Sequence, residues 1–209
     1  MRALRTFIAV PVPAAVSRRL EECSRTLAGR WPPGAVRWVS PENVHLTLRF
    51  LGDTDPDQVA GLAAALRQVA SAHRGFVVAL DGVGCFPNAR RPRVIWAGLS
   101  DPELRLDRLQ RDVERAVRAC GWPREGRAFA PHLTLGRVRE GAPAPAGEWL
   151  PSIEPAPLPV RELRLVESQL APAGAIYRTL AAASLAEADA PGPAGAASSA
   201  AGDPGPPAP

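Results

Sequence analysis

Residues 45–48 read His-Leu-Thr-Leu, and residues 132–135 read His-Leu-Thr-Leu again. The chain holds three histidines and six threonines in 209 residues. Two of three histidines would acquire a Thr two places on by accident in roughly a few cases per thousand, so the repetition demands a single cause. In an extended chain, residues i and i+2 share a face. Each phrase therefore presents an imidazole and a hydroxyl together and turns its leucines the other way. Around the first phrase the alternation runs on: Val44, Leu46, Leu48 and Phe50 on one side, His45, Thr47 and Arg49 on the other.

The phrases begin at positions 45 and 132, an offset of 87. The same offset carries Phe7-Ile8-Ala9-Val10 onto Val94-Ile95-Trp96-Ala97, a second short apolar run. Between run and phrase each copy has an amphipathic segment. Residues 14–28 place Val16, Leu20, Cys23 and Leu27 at helical spacing before Gly29, and a helix to about Ala119 places Leu104, Leu106, Leu109, Val113 and Val117 likewise. The chain thus reads strand, helix, phrase-bearing strand, twice. Two such halves about a pseudo-two-fold axis would bring His45 and His132 to one cleft. The expected fold is α+β: duplicated strand–helix–strand halves in two lobes, with two antiparallel sheets around a central cleft.

The remaining elements follow from local signals. A short strand is expected near Val36–Val39, and a helix from Asp55-Pro56 to about Ala72, with Val59, Leu62, Ala63, Leu66 and Val69 as its stripe. His73 follows as a solvent-facing cap without chemical role. Strands are expected over Phe76–Val83 and Val94–Leu99, separated by a loop carrying three arginines, and a hairpin over Val160–Ser168 and Ala175–Ala182. Residues 140–159 read as an irregular connection. Two domains of unequal kind result: residues 1–185 form the two-lobed body, and residues 186–209, rich in Ala, Pro and Gly, form a disordered tail.

No apolar run reaches the length of a membrane span, and two prolines interrupt the apolar start, so neither a membrane anchor nor a signal peptide is expected. Cys23, Cys85 and Cys120 are odd in number and far apart, which fits reduced thiols and a cytoplasmic protein. The net charge is +4, with arginine supplying every basic side chain. The segment after Leu185 carries Glu187, Asp189 and Asp203 and no Arg, so the body is more basic than the whole. A basic body suits a phosphate-bearing partner. The absence of lysine in an Ala-, Pro- and Gly-rich chain looks like the product of a high-GC genome, which accounts for the larger share of the arginine excess.

Histidine titrates near neutrality and is an acceptor when neutral and a donor when charged, so two facing histidines hold a base and an acid at once. Thr47 and Thr134 would offer hydroxyls to phosphate oxygens. That set suits opening of a cyclic phosphodiester with no metal and no cofactor. Two histidines could also ligate a metal, but neither phrase brings a third ligand at a usable offset. No nucleophile-elbow pattern supports a Ser or Cys nucleophile. A binding cleft without turnover remains open.

The stretches Arg5–Val10, His45–Gly52 (H-L-T-L-R-F-L-G), Phe86–Gly98 (F-P-N-A-R-R-P-R-V-I-W-A-G), Phe129–Arg137 (F-A-P-H-L-T-L-G-R) and Ser168–Tyr177 together resemble the two-histidine phosphoesterase superfamily. Within it the chain is similar to the RNA 2′,3′-cyclic phosphodiesterases, historically called 2′-5′ RNA ligases, over about residues 2–181. The resemblance implies a metal-independent hydrolysis of a terminal RNA 2′,3′-cyclic phosphate to a 2′-phosphate. It implies His45 as proton donor to the leaving 3′-oxygen, His132 as proton acceptor from water, and Thr47, Thr134 and Arg137 as substrate-binding residues. Residue symmetry alone leaves the division between the histidines open. Strict alternation also puts Arg137 on the Leu133 and Leu135 side, so its role requires a bulge or strand end. The partner implied is an RNA end with a cyclic phosphate, with tRNA halves as one source, met by a monomer. Ligation of tRNA halves, a small-nucleotide cyclic phosphodiesterase and an RNA-end binding module are the alternatives.

Overall fold

The computed structural model describes residues 2–171 and 174–187. The expected disorder of residues 186–209 falls, from residue 188 on, outside the described residues. Within the described residues, nine strands and three α-helices follow in the order β1 (Leu4–Pro11), α1 (Ala14–Ala28), β2 (Val36–Trp38), β3 (His45–Thr54), α2 (Val59–Ser71), β4 (Phe76–Phe86), β5 (Val94–Ser100), α3 (Arg105–Ala119), β6 (His132–Val138), β7 (Pro157–Val160), β8 (Glu162–Ala171) and β9 (Gly174–Ser184). The fold is mixed α/β with a curled antiparallel sheet, the class expected. Its strands run β7-β4-β5-β6-β3-β1-β8-β9, with β2 added beside β6. The two expected sheets are halves of this one sheet, joined where β3 meets β6 at a single pair, Leu46 opposite Leu133.

The helices form because their apolar residues recur at three- and four-residue spacing and are buried against the sheet. α1 buries Val16, Leu20, Cys23 and Leu27, α2 buries Leu62, Ala63, Leu66 and Val69, and α3 buries Leu106, Leu109, Val113 and Val117. These stripes join Leu46, Leu48, Leu133 and Leu135 in one core on the helix-covered face. The opposite face carries a separate small cluster of Phe7, Ala9 and Val166, with Tyr177 packed on it.

Several local expectations are corrected. Leu104 is not on the α3 stripe. It precedes the helix at φ 54° and is exposed, while the Asp101 carboxylate caps by accepting from the Leu106 N–H at 2.6 Å. The 140–159 connection contains β7, whose Leu158 and Val160 are fully buried. Its prolines, Pro157 and Pro159, are tolerated because β7 is an edge strand and needs no outward donors. His73 is not a solvent-facing cap. Its Nε2 lies 2.8 Å from the Asp112 carboxylate and ties the end of α2 to α3. The chain pairs beyond the body's expected limit, since the Ala186 N–H donates to His73 O and its carbonyl accepts from the Gly75 N–H.

Arg49 and Phe50 depart furthest from expectation. Simple alternation puts Arg49 beside His45 and Phe50 in the core. Arg49 is instead buried at 7% exposure, and Phe50 is 52% exposed. The cause is a register shift between Ile8 and Ala9 of β1, where Ile8 faces Arg49 but Ala9 faces Thr47. Leu48 is the extra residue of a bulge, and beyond it the two faces exchange occupants. All three nitrogens of the buried guanidinium are engaged. Its Nε donates to Glu114 at 2.6 Å, its terminal nitrogens to Glu125 at 3.1 Å, and to the carbonyls of Pro123 and Phe50 at 2.6 Å each. Together with Trp122, whose Nε1 donates to Leu51 O, it fastens the segment leading into β6 onto β3.

Removing one partner of a buried ion pair strands the other in a poor solvent. Arg49→Ala is therefore expected to lower unfolding free energy by about 3–5 kcal/mol. Urea denaturation at neutral pH would measure it, and a loss below about 1 kcal/mol, the size of an exposed pair, would contradict this role.

Candidate active site

Each phrase opens its strand, and the backbone treats the two alike. On β1 and β3 the partners are Ala9–Thr47, Val10–Leu46 and Pro11–His45. On β5 and β6 they are Trp96–Thr134, Ala97–Leu133 and Gly98–His132. Each of the second set is the first displaced by 87 positions. The bulge recurs too: Ile95 faces Gly136 while Trp96 faces Thr134, leaving Leu135 as the extra residue. Where β3 and β6 meet, the antiparallel register about Leu46–Leu133 sets His45 across from Thr134 and Thr47 across from His132. All four are half-buried, and the four leucines of the phrases are buried beneath them.

The bulge at Leu135 decides the position of Arg137. Without it, Arg137 would share the face of Leu133 and Leu135. With it, Gly136 takes the core side, where an added Cβ would lie 2.7 Å from Val36 and 2.9 Å from Trp38, and Arg137 emerges on the histidine side. Its charge acts on both His45 and Tyr177. The structure thus brings His45, His132 and Arg137 into one electrostatic neighbourhood, with Thr47 and Thr134 on the same face.

Each imidazole is held in the same way. Nδ1 of His45 lies 2.8 Å from Asn43 O, and Nδ1 of His132 lies 2.7 Å from Ala130 O. A carbonyl oxygen only accepts, so Nδ1 carries the hydrogen in both rings. In the neutral form each Nε2 is then an unprotonated acceptor; in the charged form it is a donor. The backbone bond thereby fixes both the tautomer and the ring orientation that a proton-transferring histidine needs.

The walls differ. Phe7 stacks on His45 with ring centroids 4.6 Å apart, and Tyr177 meets it edge-on at 5.1 Å. His132 meets Phe86 edge-on at 5.2 Å, with Trp96 at 6.5 Å behind. The Trp96 indole needs two glycines: a Cβ on Gly84 would lie 2.3 Å from it, and one on Gly98 3.3 Å. Reading the phrases alone misses these aromatic partners, because they come from β1, β4, β5 and β9. Phe7 and Trp96 carry one signal in the sequence: both lie in the short apolar runs that the repeat offset relates.

Burial is the main influence on His45 and pushes its pKa below the ordinary histidine value. The charges of Arg137 and His132 push the same way, and the hydrogen bond to Asn43 opposes them. Burial likewise raises the Tyr177 phenol, against the opposing charges of Arg137 and Arg5. Among the described residues no group of three or more His, Cys, Asp and Glu is arranged to hold a metal ion. Cys23, Cys85 and Cys120 are free thiols, and no helix of the described residues is long and apolar enough to cross a membrane.

A family model described as LigT like Phosphoesterase matches residues 10–96 and 99–177. A protein of Archaeoglobus fulgidus named RNA 2′,3′-cyclic phosphodiesterase is 34% identical over 179 residues, covering 85% of this chain and 98% of that one. A protein of the same name from Thermus thermophilus is 35% identical over 193 residues, covering 87% and 90%. Among solved structures, TT0787 of Thermus thermophilus superposes with a TM-score of 0.72 at 30% identity, covering 88% of this chain and 98% of its own. E. coli LigT complexed with 3′-AMP superposes with a TM-score of 0.67 at 27% identity, again covering 88% and 98%. With the paired phrases, the pinned imidazoles and a match over both halves, the chain belongs to the LigT-like phosphoesterase family.

Proposed function

We propose that this chain hydrolyses the terminal 2′,3′-cyclic phosphodiester of an RNA to a 2′-phosphomonoester, by two-histidine general acid–base catalysis and without a metal. The observation that carries the reading is the matched pinning of both Nδ1 atoms to a carbonyl two residues upstream, which leaves two Nε2 atoms for proton transfer. The names of the Archaeoglobus and Thermus relatives supply the substrate class.

In the proposed reaction, Nε2 of His132 takes a proton from water as the water oxygen bonds to phosphorus. The bond from phosphorus to O3′ breaks, and Nε2–H of His45 gives its proton to O3′. The product carries a 2′-phosphate and a free 3′-hydroxyl, and the two histidines exchange protonation states with solvent before the next turn. Thr47 and Thr134 donate to non-bridging oxygens and Arg137 neutralises their charge. The working molecule is a cytoplasmic monomer acting on RNA ends, tRNA halves among them.

The acid role for His45 has an electrostatic consequence. An acid must carry its proton, so turnover falls as pH rises through its pKa. Burial, with Arg137 and His132, holds that pKa low in the free protein. A bound phosphodiester anion offsets the charge of Arg137 and raises it. The alkaline limb of kcat/KM, which reports the free protein, is then expected at lower pH than that of kcat, which reports the complex. Arg137→Gln should raise KM and move the kcat/KM limb toward the kcat limb. Coincident limbs in both proteins would count against His45 as the acid.

His45→Ala and His132→Ala should each lower kcat by about 10²–10⁴-fold while leaving the protein folded, the usual worth of one acid or base. On a phosphodiester with an activated aryl leaving group, which departs without a proton, His45→Ala should recover and His132→Ala should not. The assay is hydrolysis of a short RNA with a cyclic phosphate end in excess EDTA. Near wild-type rates in the double variant would overturn the scheme, and loss of wild-type activity in EDTA restored by a divalent ion would replace it with a metal mechanism.

A further inference from the structure

Beyond Arg137, positive charge continues along the sheet. Arg37 of β2 and Arg137 of β6 are direct cross-strand partners. Trp38, the next residue of β2, faces Gly136 on the core side, so Arg37 and Arg137 share the cleft side. Arg139 follows along the same strand direction, its N–H donating to Ala35 O.

Two surface depressions lie here and share Val138 and Arg139. One is lined by Arg37 and Arg137, the other by Arg90, Arg91 and Arg93 of the β4–β5 loop. All six arginines are exposed. Among the described residues, Glu140 is the single carboxylate lining either depression. Among them too, no carboxylate forms an ion pair with Arg90, Arg91, Arg93, Arg137 or Arg139. The loop is held in shape. Asn88 Oδ1 accepts from the N–H groups of Arg90 and Arg91 at 3.1 Å each, Arg93 N–H donates to Phe86 O, and the Val138 N–H donates to Arg93 O.

We propose that this arginine surface is a docking track for the phosphate backbone of the RNA that leads into the cyclic end. The proposal rests on the RNA-end reading above and extends it from the reacting phosphate to its neighbours. The track is continuous with the site through Arg137, and a preordered loop of arginines binds a polyanion with little ordering cost. Arginine forks match phosphate oxygens. The large exposed apolar side chains of the described residues, Phe50, Val77, Leu104 and Ile176, all lie outside it. Base stacking is thus not what this surface provides, and recognition is of backbone rather than sequence.

The test uses the full chain and a triple variant, Arg90→Gln/Arg91→Gln/Arg139→Gln, none of which belongs to the reacting centre. Two substrates are compared: a mononucleoside 2′,3′-cyclic phosphate and a short oligoribonucleotide with the same end. The triple variant should keep wild-type kcat/KM on the mononucleotide and lose it on the oligonucleotide. The slope of log affinity against log salt for a single strand should fall by about 2, at about 0.7 for each phosphate contact removed. The matching Arg→Lys triple, which keeps the charges, should restore the slope. Equal losses on both substrates, or an unchanged oligonucleotide rate and salt slope, would overturn the track. Binding of an oligoribonucleotide ending in a 2′-phosphate, followed by fluorescence anisotropy, separates this from the catalytic reading. If wild-type protein cleaves neither substrate yet binds the oligonucleotide through these arginines, the hydrolytic proposal fails and the track stands. Binding indifferent to the three substitutions sinks the track whatever the turnover.

Discussion

The meeting of β3 and β6 at Leu46 and Leu133 is the constraint on which the site depends. Two leucines with no exposed surface anchor it from the helix-covered side. Because the strands are antiparallel there, a His of one is set against a Thr of the other on both sides of the junction. The pairing is narrow, a single residue pair, so little backbone bonding holds the halves in this relation. Side chains supply the rest. Arg49 and Trp122 fasten the segment before β6 to β3, and α3 is drawn in through Glu114. Arg49 looks on sequence parity like a neighbour of His45; in the fold it is buried away from it and ties β3 to α3 and to the segment at Pro123 and Glu125.

Much of this is legible in the chain because it is local. Helix stripes depend on spacing within one segment, and all three lie where the spacing puts them, apart from Leu104. The pleat correctly divides His45, Leu46, Thr47 and Leu48, and likewise residues 132–135. Parity fails one residue later, at both phrases. A bulge is made by a partner strand, here by β1 on β3 and β5 on β6, and nothing in the alternation of β3 or β6 announces it. The chain does contain a hint. Arg137 could face the histidines only if alternation broke, and the core-side residue just before it is a glycine with no room for a Cβ. The pairing of His73 with Asp112 is out of reach for a similar reason, since it joins two helices 39 positions apart.

The two halves share backbone register and differ in what hangs on it. The offset of 87 relates Ala9 to Trp96, Pro11 to Gly98, Arg49 to Gly136 and Phe50 to Arg137. Two of these exchanges change what surrounds the histidines. The indole of Trp96 occupies space that Ala9 leaves to Tyr177 of β9 on the other side. Arg137 puts a positive charge at one end of the cleft, where Phe50 puts an exposed aromatic ring at the other.

This asymmetry gives two identically held histidines different surroundings. Identical pinning gives both rings the same tautomer and the same freedom at Nε2. Were their surroundings also identical, each would have the same proton affinity, and neither would be preferred as donor or acceptor. Stacking Phe7 on His45 and burying it withdraws solvent from one ring, and Arg137 adds a charge that acts on it. Both effects lower the proton affinity of His45, against the hydrogen bond to Asn43. The repeated backbone thus holds two imidazoles alike, and the unrepeated side chains make their surroundings unlike.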